Sequence, residues 1–139
     1  MKYFVAYRFT GEGSRELSAV LGGVGEALRS AGHDVFCSID KESWFKEQGR
    51  GAERIYEHCL DELVDADALL CLVRTSDKSS GIEREVRKSI RLGKPITLVV
   101  HCDIPDVFLQ EAYRVTRASC AKVIEYTDLK SLCTALREL

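Results

Sequence analysis

Short apolar runs and longer amphipathic stretches alternate along the chain, and they predict five strands joined by helices. The apolar runs rich in β-forming residues lie at 2–9, 33–39, 67–73, 96–101 and 121–126. Helices are predicted over 15–31, 52–66, 81–92 and 127–139, the first two from apolar residues recurring every three or four positions. The segment 103–113, which contains Pro105, is predicted to be a short helix or irregular.

The third strand and the helix after it form the central stretch of the chain. The strand is an uninterrupted apolar run, DALLCLV over 67–73, as in parallel strands that are covered on both faces. A polar turn with Ser79, Ser80 and Gly81 leads into the helix, and Gly93-Lys94-Pro95 is a typical helix end.

Three glycines interrupt the first predicted helix, at Gly22, Gly23 and Gly25. Glycine weakens a helix interior, because it loses more conformational freedom than other residues when it is fixed. Either another element packs very close to these positions, or the helix is less stable than its periodicity indicates.

Strands that alternate with helices at this spacing predict βαβ units with right-handed crossovers. We therefore expect one domain over 1–139, a flavodoxin-like, doubly wound parallel α/β sheet of five strands in the order 2-1-3-4-5. In that order the winding reverses between strands one and three, and ligands bind at the carboxyl ends of such strands. The crevice should lie between residues 7–12 and 75–85.

Composition narrows the class of protein. The 139 residues carry a formal net charge of -2, with acidic and basic residues interspersed, so no duplex nucleic acid is expected as a partner. We see no targeting or membrane-spanning segment and expect a soluble, cytoplasmic protein. The six cysteines form no C-x-x-C pair, which predicts reduced thiols and no metal site.

The predicted crevice contains polar groups suited to an anion. Dinucleotide-binding, Walker A and nucleophile-elbow motifs are all missing from the sequence, and no cofactor is expected. One side of the crevice carries Arg8, Thr10 and Gly11, and the other carries the hydroxyl groups and backbone amides at the start of the helix at 81. A phosphate or carboxylate is stabilised at a helix start by the helix dipole and by unpaired amides.

Glu83 and Glu85 lie in the first turns of that helix, two residues apart, so only one can face the crevice squarely. A carboxylate beside a bound sugar can attack or stabilise an oxocarbenium-like centre during glycosidic cleavage. Alternatively, both acids simply complement the helix dipole.

Two large aromatic residues, Trp44 and Phe45, lie in the polar segment after the second strand. Large rings are costly to leave in water, so they form either a lid or a base-stacking wall, or they pack back over the core.

The middle of the chain resembles the nucleoside 2-deoxyribosyltransferase family, above all its 2′-deoxynucleoside 5′-phosphate N-hydrolase branch. The sequence over 54–98 is RIYEHCLDELVDADALLCLVRTSDKSSGIEREVRKSIRLGKPITL. The family has an aspartate at the start of strand three, a serine or aspartate, a glycine and a glutamate at the next helix, and a Gly-Lys-Pro-like turn. The matching residues are Asp67, Ser79, Gly81, Glu85 and Gly93-Lys94-Pro95.

The resemblance implies roles for these residues. Glu85 would attack the sugar C1′ and Asp67 would orient the sugar or the glutamate. Ser79, where transferases acting on free nucleosides have aspartate, implies a phosphate-bearing substrate held by Ser79, Ser80 and Gly81 with the loop from Tyr7 to Gly11 opposite. The family generally has an aspartate where this chain has Cys59. The resemblance also implies a homodimer. Candidates for its interface are Trp44, Phe108 and Tyr113, which alternatively line the core or the crevice.

A second resemblance is to TIR domains, whose enzymatic members cleave the nicotinamide bond of NAD with a glutamate. It is carried by VAYRFTGE after strand one, by GHDVFCSID at strand two and by a glutamate after strand three. Hence the alternatives to a nucleotide N-hydrolase are a TIR-like NAD-cleaving enzyme and a non-catalytic nucleotide-binding or protein-interaction module.

Overall fold

The computed structural model describes residues 1–8, 14–41, 47, 49, 51–77 and 79–139. Five strands pair in parallel in the order β2-β1-β3-β4-β5, which confirms the predicted flavodoxin-like fold. They are β1 (Lys2–Tyr7), β2 (Asp34–Phe36), β3 (Ala68–Val73), β4 (Ile96–His101) and β5 (Lys122–Tyr126).

Six helices of the described residues connect or follow these strands. They are α1 (Ser14–Ser30), α2 (Ala52–Asp65), α3 (Ser80–Arg91), α4 (Asp106–Ala112), α5 (Arg114–Ser119) and α6 (Leu129–Arg137), with a 3-10 turn at Ser38–Lys41. The second strand is shorter than predicted, because the chain enters the 3-10 turn directly after Cys37. The segment 103–113 contains α4, and Tyr113, at φ -128 and ψ 40, separates it from α5, which the sequence did not predict.

The buried strand β3 divides the interior into two apolar cores. Its residues alternate between them: Ala68, Leu70 and Leu72 pack with α1 and α6, and Leu69, Cys71 and Val73 pack with α2, α3 and α4. Both faces of the strand are covered, which explains its uninterrupted apolar sequence.

The glycines of α1 allow close packing against α6. A Cβ on Gly23 would lie 2.8 Å from Leu129 Cδ1 and 3.3 Å from Cys133 Sγ. The Cys133 thiol also donates a hydrogen bond to the Gly23 carbonyl at 3.5 Å. Of the two alternatives for this part of the helix, close packing therefore holds at Gly23, whereas Gly22 is exposed and would place its Cβ in open space.

No helix of the described residues combines the length and the apolarity needed to span a lipid bilayer.

Substituting the two adjacent glycines should separate helix propensity from packing. Gly22→Ala should increase the free energy of unfolding by about 0.5–1 kcal/mol, because alanine favours the helix and meets no neighbour. Gly23→Ala should increase it less or decrease it, since the Leu129 side chain has to move. Urea denaturation of both variants tests this, and a larger gain for Gly23→Ala would contradict it.

Candidate active site

The carboxyl ends of β1 and β3 lie together at the point where the winding reverses, which is where an open α/β sheet has its ligand crevice. Tyr7 pairs with Leu72 in the sheet register, and its hydroxyl lies 2.7 Å from Ser38 Oγ. The 3-10 turn that begins at Ser38 therefore lies beside the carboxyl end of β1. Arg8 follows, with its Nη1 3.3 Å from Asp77 Oδ2. The ion pair is partly exposed, so it fixes geometry more than it stabilises the fold. Thr10, Gly11, Trp44 and Phe45 lie outside the described residues.

The start of α3 offers hydrogen-bond donors at the same edge. Ser79 is the N-cap, and its Oγ accepts the Ile82 backbone N–H at 3.2 Å. Because Oγ acts as an acceptor toward the helix, the hydroxyl proton remains available to a ligand. Among the described residues, the backbone N–H groups of Ser80 and Gly81 have no acceptor, as is usual for the first turn of a helix. The Ser80 side chain lies outside the described part.

Glu85 directs its carboxyl group toward β1, α2 and β3. Burial is the main reason that the pKa values of Tyr7, Cys59 and Cys71 are raised, and the Glu85 charge raises all three further. Glu83, by contrast, acts on Tyr113, where burial again is the main cause of a raised pKa. The two carboxyl groups therefore lie on different sides of the helix, as their spacing predicts.

The Glu85 carboxyl group is poorly solvated. Burial raises its pKa from the ordinary value of 4.5 to about 8, so in the unliganded protein it is largely protonated at neutral pH. The pKa of the Cys59 thiol is raised to about 12, mainly by burial, so this side chain beside Glu85 is neutral. Strongly shifted groups in a crevice are typical of functional sites.

Tyr113 forms part of the wall on the side of α3. Its hydroxyl accepts the Ser79 backbone N–H at 2.9 Å and donates to the Asp77 carbonyl at 3.5 Å. The ring is buried and meets Phe108 edge-on, with centroids 5.9 Å apart. Sequence reasoning named Tyr113 only as a core, crevice-wall or interface aromatic, and it missed Ser38 and Asp77, because no local pattern reports contacts made over 30 residues or more.

Asp67 lies at the other edge of the sheet, away from the site to which the resemblance assigned it. Its Oδ2 accepts the Lys2 backbone N–H at 2.7 Å, before the first residue of β3. Glu85 lies nearer the other end of this strand, where its charge acts on Cys71 and on Tyr7, which pairs with Leu72. Asp67 therefore holds the start of β1 against β3 and does not reach a ligand beside Glu85.

A second group of potential ligand atoms lies at the end of β4. The side chains of His101, Cys102 and Asp103 offer donor atoms within 4.8 Å of one another, which a metal ion could use. His101 Nδ1 already accepts the Asp103 backbone N–H at 3.1 Å, and the Asp103 side chain is 86% exposed.

Comparison with known proteins agrees with this fold. No family model matches the sequence, and no curated protein matches it as a relative. Solved structures do match along nearly the whole chain. The 2-deoxyribosyltransferase of the psychrotolerant bacterium Bacillus psychrosaccharolyticus has a TM-score of 0.68 and 21% identity, over 98% of this chain and 96% of that one.

Two further structures show how broadly the fold is used. The Clostridium botulinum CMP N-glycosidase BcmB has a TM-score of 0.69 and 14% identity, over 98% of this chain and 97% of that one. An NADH:FMN oxidoreductase, EmoB, has a TM-score of 0.51 and 14% identity, over 99% and 86%. The resemblance to nucleoside 2-deoxyribosyltransferases is thus confirmed in the fold, while the TIR resemblance stays a prediction.

The raised pKa of the half-buried Glu85 makes the stability of the protein depend on pH. A carboxyl group whose pKa is higher in the folded than in the unfolded chain binds a proton that the unfolded chain releases, so stability falls as pH rises from about 4.5 to 8. Glu85→Gln should remove this fall, as measured by urea denaturation at pH 5, 6.5 and 8. Glu83→Gln is the matched control and should retain it. Parallel pH dependences of the parent and Glu85→Gln would show that Glu85 is not the buried acid.

Proposed function

We propose that the protein cleaves the N-glycosidic bond of a nucleoside 5′-monophosphate, as a hydrolase or a transferase, with Glu85 as the nucleophile. The observation that carries this proposal is the half-buried Glu85 side chain at the switch point of the sheet, whose pKa is raised by burial to about 8. It is supported by two proteins of similar fold, one described as a 2-deoxyribosyltransferase and the other as a CMP N-glycosidase. The homodimer implied by the sequence resemblance and the cytoplasmic location stay predictions.

In the proposed reaction a Glu85 carboxylate oxygen bonds to the sugar C1′ while the bond from C1′ to the base nitrogen breaks. The base leaves with the bonding electrons and takes up a proton, and water or a second base then displaces the carboxylate from C1′. Apolar surroundings strengthen the attraction between the carboxylate and the positive charge that develops on the sugar.

Ser79 and Arg8 support a phosphate-bearing substrate. The Ser79 hydroxyl proton and the first amides of α3 are donors at a helix start, where an anion is favoured. Arg8 lies across the crevice with its guanidinium held by Asp77. Aspartate at position 79 would repel a phosphate, whereas the neutral hydroxyl does not.

A direct assay tests the proposal. The protein is incubated with deoxy- and ribonucleoside 5′-monophosphates, the corresponding nucleosides and NAD, and the released base is measured chromatographically. At least one monophosphate should release base faster than its nucleoside. Glu85→Gln should lower that rate about 100-fold or more, and Glu83→Gln, which removes the neighbouring acid, should stay within a few-fold of the parent.

Three results would contradict parts of the proposal. No base release from any compound would reject the activity, and release by Glu85→Gln at the parental rate would reject the nucleophile. Nicotinamide release from NAD alone would instead favour the TIR-like alternative.

The pH dependence provides an independent check on Glu85. The deprotonated form is the nucleophile, so kcat/KM should rise about tenfold per pH unit below 8 and level off above it, because kcat/KM reports groups of the free enzyme. The measurement is kcat/KM between pH 5.5 and 9 with the best substrate. If kcat/KM were constant from pH 6 to 8, the reaction would not require deprotonation of a group with a pKa of about 8, and Glu85 would not be the nucleophile as proposed.

Cys59 supports a second candidate function, a non-catalytic nucleotide-binding module. A neutral thiol stands within the electrostatic reach of Glu85 where the family generally has aspartate, and a thiol with a pKa of about 12 cannot orient reacting groups as a carboxylate does. This function predicts calorimetric binding of a nucleoside monophosphate without any release of base.

A further inference from the structure

The turn between β3 and α3 is held from two sides. Arg8 at the end of β1 pairs with the Asp77 carboxylate. From the opposite side, the Tyr113 hydroxyl bonds to the Ser79 backbone N–H and to the Asp77 carbonyl. Of these two restraints, the tyrosine is the one that touches Ser79 itself.

Tyr113 is a rigid support for this turn. Its side chain is 2% exposed and its ring packs edge-on against Phe108, so the position of its hydroxyl is fixed by burial. Its backbone lies at the break between α4 and α5, and its N–H is bonded to the Leu109 carbonyl at 2.9 Å. The hydroxyl oxygen is therefore presented to the turn from a well-anchored part of the core.

The contact to Ser79 determines how the start of α3 faces the crevice. A hydrogen bond to the Ser79 N–H fixes the direction of that N–H, and with it the orientation of the N-cap residue. Ser79 Oγ, which accepts the Ile82 N–H, and the first amides of the helix then point in one direction. These are the donors that the phosphate would use, and Glu85 is not among them.

We propose that Tyr113 is a positioning residue that holds the Ser79 turn in its anion-binding conformation and so makes the site prefer phosphate-bearing over phosphate-free nucleosides. This inference rests on the proposed function of the same site. It assigns to a residue from the segment between β4 and β5 a role in selecting the substrate.

The change Tyr113→Phe isolates this role. It removes one oxygen and keeps the ring that packs against Phe108, so the core should remain intact. Tyr3→Phe is the matched control, since Tyr3 is also buried but lies near the amino end of β1. Thermal unfolding establishes that both variants are folded.

Kinetics and amide exchange are then measured on the parent and both variants. Tyr113→Phe should raise KM for the monophosphate about tenfold, the size expected from a lost hydrogen bond, with kcat changed less than twofold. Its kcat/KM for the nucleoside should stay within twofold of the parent. Hydrogen exchange of the Ser79 amide should be faster in Tyr113→Phe, and Tyr3→Phe should change none of these quantities.

The outcomes separate the inference from the proposed function. An equal loss on monophosphate and nucleoside, an unchanged KM, or unchanged exchange at Ser79 would overturn the role of Tyr113 while the parental activity stands. If the parent releases no base, the proposed function fails, and calorimetry with a nucleoside monophosphate and its nucleoside decides the inference. Tyr113→Phe should then weaken monophosphate binding alone, and any other result overturns it.

Discussion

The pairing of β1 with β3 is the constraint on which the remaining structure depends. The chain places β2 on one side of β1 and β3 on the other. The winding therefore reverses between β1 and β3, and the loops at the carboxyl ends of these two strands diverge. The Arg8–Asp77 ion pair joins the two loops across the resulting gap. Parallel pairing also requires that β3 be covered on both faces, which its six buried residues achieve.

Some features of the site could be predicted from the sequence, because they depend on the geometry of a single helix or strand. The faces of Glu83 and Glu85 could be predicted, because a helix fixes the angle between residues two positions apart. The role of Ser79 at the start of α3 could also be anticipated, since helix starts are marked by local side chains. Asp67 was placed wrongly, because its assignment came from resemblance alone. A residue that precedes a parallel strand lies at the amino edge of the sheet, and ligands bind at the other edge.

Other parts of the site depend on contacts that no local pattern encodes. Tyr113, at the break between α4 and α5, contacts Ser79, which is 34 residues away in the sequence. Tyr7 likewise meets Ser38 over 31 residues through a 3-10 turn that shortens the predicted second strand. The fold itself leaves the chemistry open, because an NADH:FMN oxidoreductase shares its topology at a TM-score of 0.51. The side chains at the crevice therefore carry the functional argument.

Burial of Glu85 links the apolar core to the proposed chemistry. A carboxylate in such surroundings is poorly stabilised when the crevice is empty, which is why its pKa is raised. It gains most from a positive charge placed beside it, and an oxocarbenium-like transition state supplies that charge as the bond to the base breaks. The neutral Cys59 thiol adds no negative charge of its own beside Glu85, whereas a carboxylate there could orient the reacting groups but would also repel Glu85 and raise its pKa further. The interaction of the Glu85 carboxylate with the sugar is strongest when the sugar carries positive charge, which is the condition for catalysis as opposed to simple binding.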